Sequence, residues 1–354
     1  MLSVRGLVAT VLVALIGAAA WFGLQRVPAV IASAEEVPGR GPSATSEESV
    51  VIRVPSGADG SAIARQMRQA GVISDAGLFR TLAALRGVQN QLAAGEYEFT
   101  RGTPVSEAIE RVRIGVTDPA VVLTLPEGWR LEQMARLVEQ RGLGSAEAFR
   151  EAVAAERSES FLQSRPAGAS LEGYLFPDTY FFSKKATARD VVARMLKTFD
   201  ERYNADLRAA AAAHGLSVHE AVTLASIVER EAQVADERPV IAAVFINRLK
   251  AGMPLQADPT VQYAVAADPA SVAQHGWWKR DLTVDDLKIQ SPYSTYAQRG
   301  LPPGPIASPG LAALRAVSYP APVKYLFFVA RGDGSHAFAE TLDEHNRNVQ
   351  RFQR

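Results

Sequence analysis

The decapeptide TLASIVEREA, residues 223–232, ends an apolar run in two carboxylates, Glu229 and Glu231. A carboxylic acid that hands a proton to a leaving oxygen near neutral pH needs a pKa near 6 rather than near 4. Apolar surroundings supply that shift, because they penalise the charged form. On a helix, side chains three and four positions apart meet. Glu231 follows Ile227 and Val228 at those distances, whereas Glu229 follows Ala225 and Ser226. The bulkier pair favours Glu231 as a general acid. Glu229 would then position it, hold a substrate hydroxyl or pair with an arginine. A plain salt-bridge residue at the border of a core would also read as Glu231 does.

Other chemistries lack their residues. The chain has no cysteine, so a disulfide, a thiol nucleophile and a cysteine zinc site are all excluded. Its histidines, His214, His219, His275, His336 and His345, form no HExxH pattern and have no carboxylate at ligand spacing. No G-x-S-x-G elbow or phosphate-cradling P-loop occurs. Neither a metal nor a cofactor is expected. With 38 basic and 38 acidic residues among 354, there is no basic surplus for nucleic acid.

The helix that must carry the acids is well marked. Ser217-Val218-His219-Glu220 reads as a capping box, which sets the start. At 100° per residue, Ala221, Leu224, Ala225, Val228 and Ala232 form one apolar face, so an amphipathic helix is expected. Glu229 and Glu231 then fall on opposite flanks, and periodicity does not choose between them. Three further segments combine polar and aromatic residues suited to a sugar cleft: YLFPDTY with Tyr174 and Asp178, LQADPTVQY with Gln256, Asp258 and Thr260, and SPYSTY with Tyr293, Ser294 and Tyr296. Each aromatic taken singly also reads as core.

The remainder organises around this region. Residues 6–25 carry no charge and would span about 30 Å as a helix, the thickness of a hydrocarbon core. Arg5 and Arg26 flank them, and Trp21 and Phe22 lie near the far end. The expected arrangement is a short cytoplasmic stub (1–5), a transmembrane helix (6–25), a flexible Pro/Ser/Glu-rich spacer (26–50) and an exported body. A cleaved signal peptide is the alternative, although its apolar region would be long.

A repeat opens the body. Pro55/Pro126, Gly57/Gly128, Ala64/Ala135, Arg65/Arg136 and Gly71/Gly142 pair at a constant offset of 71. Each copy reads as a strand, a turn, an amphipathic helix and a glycine stop. Such units over 51–150 resemble LysM-like modules, which bind cell-wall glycans; a structural lead-in is the alternative. Residues 151–354 mix helices with a few strands, including YLFFVA (325–330) as a buried strand, without βαβα alternation. The whole reads as α+β.

Several long segments in fixed order resemble one family, the YceG-like endolytic murein transglycosylases: LEGYLFPDTY, ASIVEREA, VFINRLKAGMPLQADPTVQYA, SPYSTYAQRGLPPGPIASPG and YLFFVARGDGSHAFAETLDEHNRNV. The resemblance implies a catalytic domain over 151–354 that cleaves between N-acetylmuramic acid and N-acetylglucosamine inside a glycan strand, leaving a 1,6-anhydromuramyl end. It assigns catalysis to the second acid of the E-x-E pair, Glu231, with Glu229 as a possible second acid. It brings Glu172 and Asn247 into the set of substrate-binding candidates and implies peptidoglycan-polymerising synthases as partners at the cytoplasmic membrane. This chain has Ser294 where the family commonly has Asn, keeping a hydroxyl in place of an amide. A non-catalytic, glycan-binding scaffold that recruits synthases is the alternative from a different class.

Overall fold

Alternating burial builds the first strand. β1 (Ser49–Val54) turns Ile52 and Val54 inward, while Arg53 points out to the carboxylate of Glu96. It pairs antiparallel with β2 (Gly95–Thr100), Ile52 opposite Tyr97. The computed structural model describes residues 49–55, 58–89, 91–115 and 120–353. The expected membrane span and residues 26–48 of the expected spacer lie outside them; Ser49 and Val50 already belong to β1. Among the described residues no helix is long and apolar enough to cross a membrane.

Each copy of the repeat holds two helices where the sequence reading placed one. In the first, α1 (Gly60–Gln69) and α2 (Ala76–Leu85) follow β1. In the second, β3 (Ala120–Thr124) precedes α4 (Leu131–Gln140) and α5 (Ala146–Ala154), with α3 (Val105–Ile114) lying between the copies. Gly71 and Gly142 do end the first helix of each pair, both at φ 72°, a conformation that costs glycine little. The chain restarts at once, because Asp75 and Ser145 cap the next helix by accepting backbone N–H bonds. The second copy closes through β4 (Thr179–Ser183), antiparallel to β3 with Leu123 opposite Tyr180. One apolar core gathers Ile52, Met67, Phe79, Tyr97 and Ile109. A second runs from Leu123 in the second copy to Val317.

At the centre of the larger core lies α8 (Val218–Glu231), preceded by α6 (Ala188–Arg202) and α7 (Ala205–Ala213). The expectation of an amphipathic helix is corrected here. From Ala221 to Val228 every residue is buried, Thr223 and Ser226 included. A helix buried on all sides is one enclosed by its neighbours. α7, α9 (Arg238–Lys250), α10 (Asp258–Val265) and α13 (Leu311–Ser318) pack around it, with α11 (Pro269–His275) and α12 (Val284–Leu287) further along the chain. The buried hydroxyls are satisfied locally: Thr223 donates to the His219 carbonyl and Ser226 to the Thr223 carbonyl, each at 2.7 Å.

The strand within YLFFVA is shorter and more open than its composition implied. β5 (Phe327–Ala330) pairs with β6 (His336–Ala339), and of the β5 residues only Val329 is buried. A two-stranded ribbon has a free edge, so β-branched and aromatic content did not mean enclosure here. α14 (Leu342–Phe352) ends the described chain. Helices with separate two-stranded antiparallel sheets make the architecture α+β.

Candidate active site

Hydrogen bonding gives the two acids different surroundings. The Pro/Gly-dense segment 291–310 contains no helix or strand and runs against one face of α8. The His219 ring donates from Nε2 to the Pro303 carbonyl at 2.8 Å. The Ile306 N–H donates to Ser226 Oγ at 3.0 Å, and the Gly310 N–H to Glu229 Oε2 at 3.1 Å. Positions 219, 226 and 229 share a face at 3.6 residues per turn. Glu229, its side chain 8% exposed, is thereby committed to the loop, and Arg238 lies 3.9 Å away. Burial first and the Glu127 carboxylate second push its pKa up to about 7.

Glu231 projects from the other flank at the last residue of α8. It is partly open and makes no hydrogen bond or ion pair among the described residues. Burial, then the charge of Asp258, pushes its pKa up to about 8; Arg230 opposes this. The pairs Ile227/Val228 and Ala225/Ser226 therefore do not separate the acids, because tertiary neighbours desolvate both. What separates them is commitment: Glu229 holds a backbone N–H, and Glu231 is free. A free carboxyl that is protonated at neutral pH can give a proton to a leaving group and take one back.

Asp258 and Tyr296 lie within charge range of Glu231, on two loops locked together. Asp258 opens α10 and accepts a 2.7 Å bond from the Tyr296 hydroxyl. Buried Thr260 bonds the Ala257 carbonyl and Thr295 Oγ1, and Thr295 accepts from the Ala257 N–H at 2.9 Å. Gln256 has φ 52°, a left-handed conformation uncommon for a residue with a side chain. Its N–H donates to the Thr295 carbonyl at 3.1 Å, which holds that shape. Tyr293 packs against Tyr263 with ring centres 4.6 Å apart and planes tilted by 41°. Asp258→Asn removes the negative neighbour, so the pKa of Glu231 is expected to fall on the order of one unit. Titration of the Glu231 carboxyl by NMR checks this, and an unmoved midpoint contradicts it.

Other expected residues are held by partners of their own. Both Glu172 oxygens accept from the Leu131 N–H at the start of α4, and burial pushes its pKa up to about 8. Tyr174 is wholly buried, its hydroxyl donating to His219 Nδ1 at 2.9 Å. Asp178 pairs with Arg202 at 3.3 Å. Asn247 donates to the carbonyls of Val323 and Tyr325 at 2.9 and 3.0 Å. Ser294 is fully buried, and its hydroxyl accepts from the Ala297 N–H within its own turn.

Sequence reasoning missed Arg248. Its guanidinium is buried and donates to the carbonyls of Leu326, Pro254 and Leu255, at 2.6, 3.2 and 2.7 Å, shaping the loop that leads to Asp258. Lysine cannot reproduce that planar fork. Arg248→Lys is therefore expected to cost about 1–3 kcal/mol through unpaired buried carbonyls; a denaturation midpoint equal to the parent's rules this out. Glu127, Thr295, Trp277 and Trp278 were also missed. The adjacent aromatic and basic letters of GWWKR were the available signal for the tryptophans. Among the described residues no group of three or more His, Cys, Asp or Glu side chains could hold a metal ion.

Fold and site together define an α+β protein in which two acids end an enclosed helix and, among the described residues, only one of that pair has a hydrogen-bond or ion-pair partner. The chain belongs to the YceG-like family, whose model matches residues 52–351. It is 33% identical over 326 residues to the endolytic murein transglycosylase of Bacillus subtilis, covering 87% of this chain and 86% of that one. To the endolytic murein transglycosylase of Streptococcus pneumoniae it is 30% identical, over 96% of this chain and 63% of the longer relative. A crystal structure of a putative YceG-like protein from Listeria monocytogenes matches at TM-score 0.55 and 31% identity, covering 85% of this chain and 99% of that one.

Proposed function

We propose that this chain is an endolytic peptidoglycan lytic transglycosylase in which Glu231 serves as acid and then as base. The observation that carries the proposal is the unpartnered Glu231 carboxyl, its pKa pushed up to about 8, beside Asp258. Glu231 protonates the glycosidic oxygen between N-acetylmuramic acid and N-acetylglucosamine as the C1–O bond breaks. The muramyl C6 hydroxyl bonds to C1, and the Glu231 carboxylate takes its proton. One 1,6-anhydro ring and one free hydroxyl result, and the acid is restored. Glycosidases that use water or a covalent intermediate need two carboxylates. Here Asp258 is engaged by the Tyr296 hydroxyl, which fits its role as a neighbour that keeps Glu231 protonated.

Residues 6–25 act as a single-pass anchor in the cytoplasmic membrane, with the body on its outer side. The strand–helix–helix–strand unit of residues 49–100 serves as a LysM-like glycan-holding module, supported by its two-stranded antiparallel sheet closed over two helices. Anchored there, the enzyme meets nascent glycan near the synthases that polymerise it. The decisive experiment is mass spectrometry of purified peptidoglycan digested by the protein. Anhydromuramyl ends are expected; reducing ends would reveal a hydrolase, and an absence of new ends would favour a binding scaffold.

A further inference from the structure

A cavity of about 400 Å³ is lined by Arg230, the residue before the proposed acid, with His275, Trp278, Lys279, Arg280 and Asp281. Trp278 forms part of its wall and is held between two guanidinium groups. Arg130 lies 4.1 Å and Arg230 4.0 Å from its ring centre. Arg130 also stacks 4.4 Å from the Tyr263 ring on α10, the helix that begins with Asp258. Such stacking fixes both the indole and the charges around it. Arg130 is 4% exposed, and the buried Nε atoms of Arg130 and Arg230 have no hydrogen-bond partner. Of the other cations, Lys279 is taken up by Asp286 at 2.7 Å. Arg280 is exposed and makes no hydrogen bond or ion pair among the described residues. Arg230 and Arg280 thus line, together with Asp281, a cavity with one tryptophan wall, and Arg230, which also feels the charges of Glu229 and Glu231, adjoins Glu231 in sequence.

Two arginines beside an aromatic wall suit a planar anion, above all a carboxylate held by a guanidinium fork. The glycan backbone of peptidoglycan, built of N-acetylated sugars, offers no carboxylate of its own once the lactyl group is amide-linked. Its carboxylates belong to the peptide stems. We infer that this cavity binds a stem carboxylate, so that the enzyme selects glycan that still carries its peptides over stripped glycan. The inference rests on the proposed transglycosylase reading for the identity of its substrate.

Binding is measured with the full chain carrying Glu231→Gln, which leaves the glycan intact. The probes are soluble glycan strands with their stems and the same strands stripped by an amidase. Stem-bearing strands are expected to bind about tenfold more tightly, the worth of one charge-assisted bond. Arg280→Glu is expected to bring that ratio close to one, and Arg280→Lys to keep part of it; Arg280→Gln replaces the reversal if melting shows it misfolded. Equal affinity for both strands in the parent overturns the inference, as does an equal loss on both strands in the Arg280 variant. Release of anhydro ends by the unsubstituted chain is scored separately. A stem preference without anhydro ends would leave the cavity's role standing and remove the transglycosylase reading.

Discussion

Glu231→Gln is expected to reduce the release of anhydromuramyl ends by about 10²–10⁴-fold, the contribution typical of a positioned acid–base group. Glutamine keeps the shape and loses the proton. The fold should survive, because Glu231 makes no hydrogen bond or ion pair among the described residues. The direction of the stability change follows from linkage. A carboxyl raised from 4.5 to about 8 contributes stability that is fully present below 4.5 and is lost as pH rises through about 8. The glutamine variant lacks that loss, so above pH 8 it should melt no lower than the parent. The parent's rate should fall about tenfold per pH unit above that same midpoint, as the protonated form is depleted. Glu229→Gln is the control: its amide oxygen can still accept from the Gly310 N–H, and a smaller loss is expected. A Glu231→Gln protein retaining activity within about tenfold of the parent, or Glu229→Gln proving the more damaging, would reject the assignment.

The second large effect is expected from Gly173→Ala, a change of packing alone. Gly173 sits at φ 84°, and a Cβ there would lie 2.4 Å from Pro305 Cβ, 2.7 Å from Pro305 Cγ and 3.1 Å from Val222 Cγ1. A left-handed residue with a side chain costs about 1–2 kcal/mol, and forcing a methyl into a packed core costs about 1–3 kcal/mol more. A loss of about 2–5 kcal/mol is large beside the 5–15 kcal/mol typical of a folded domain. Pro305 belongs to the loop that holds His219, Ser226 and Glu229, and Val222 lies on α8. Activity should therefore fall together with stability. Urea denaturation gives the test, and a midpoint matching the parent's would show that the loop can yield.

Local features proved legible from the letters. The capping box at Ser217 and Glu220 is formed in both directions, with the Ser217 N–H donating to Glu220 Oε2 at 2.9 Å and the Glu220 N–H to Ser217 Oγ at 3.3 Å. The repeat at offset 71 reappears as matched strands, matched helices and two glycines at the same φ. The second helix of each copy was missed although Asp75 and Ser145 announce it, because the preceding glycine was read as an end rather than a corner.

Composition and the repeat are read directly from the letters, and the helix start and the two acids at a helix end were also determined by the sequence, since each of these depends on residues within a turn or two of one another. Which acid is free was decided only by tertiary structure. Helical periodicity places Glu229 and Glu231 on opposite flanks, and their near neighbours cannot show that Gly310, 81 positions away, would take up the first. Nor can they show that α8 is enclosed by four other helices, so that both carboxyls lose water whichever apolar side chain precedes them. Desolvation and hydrogen-bond commitment belong to the whole surroundings of a group, and those surroundings form only when distant segments pack.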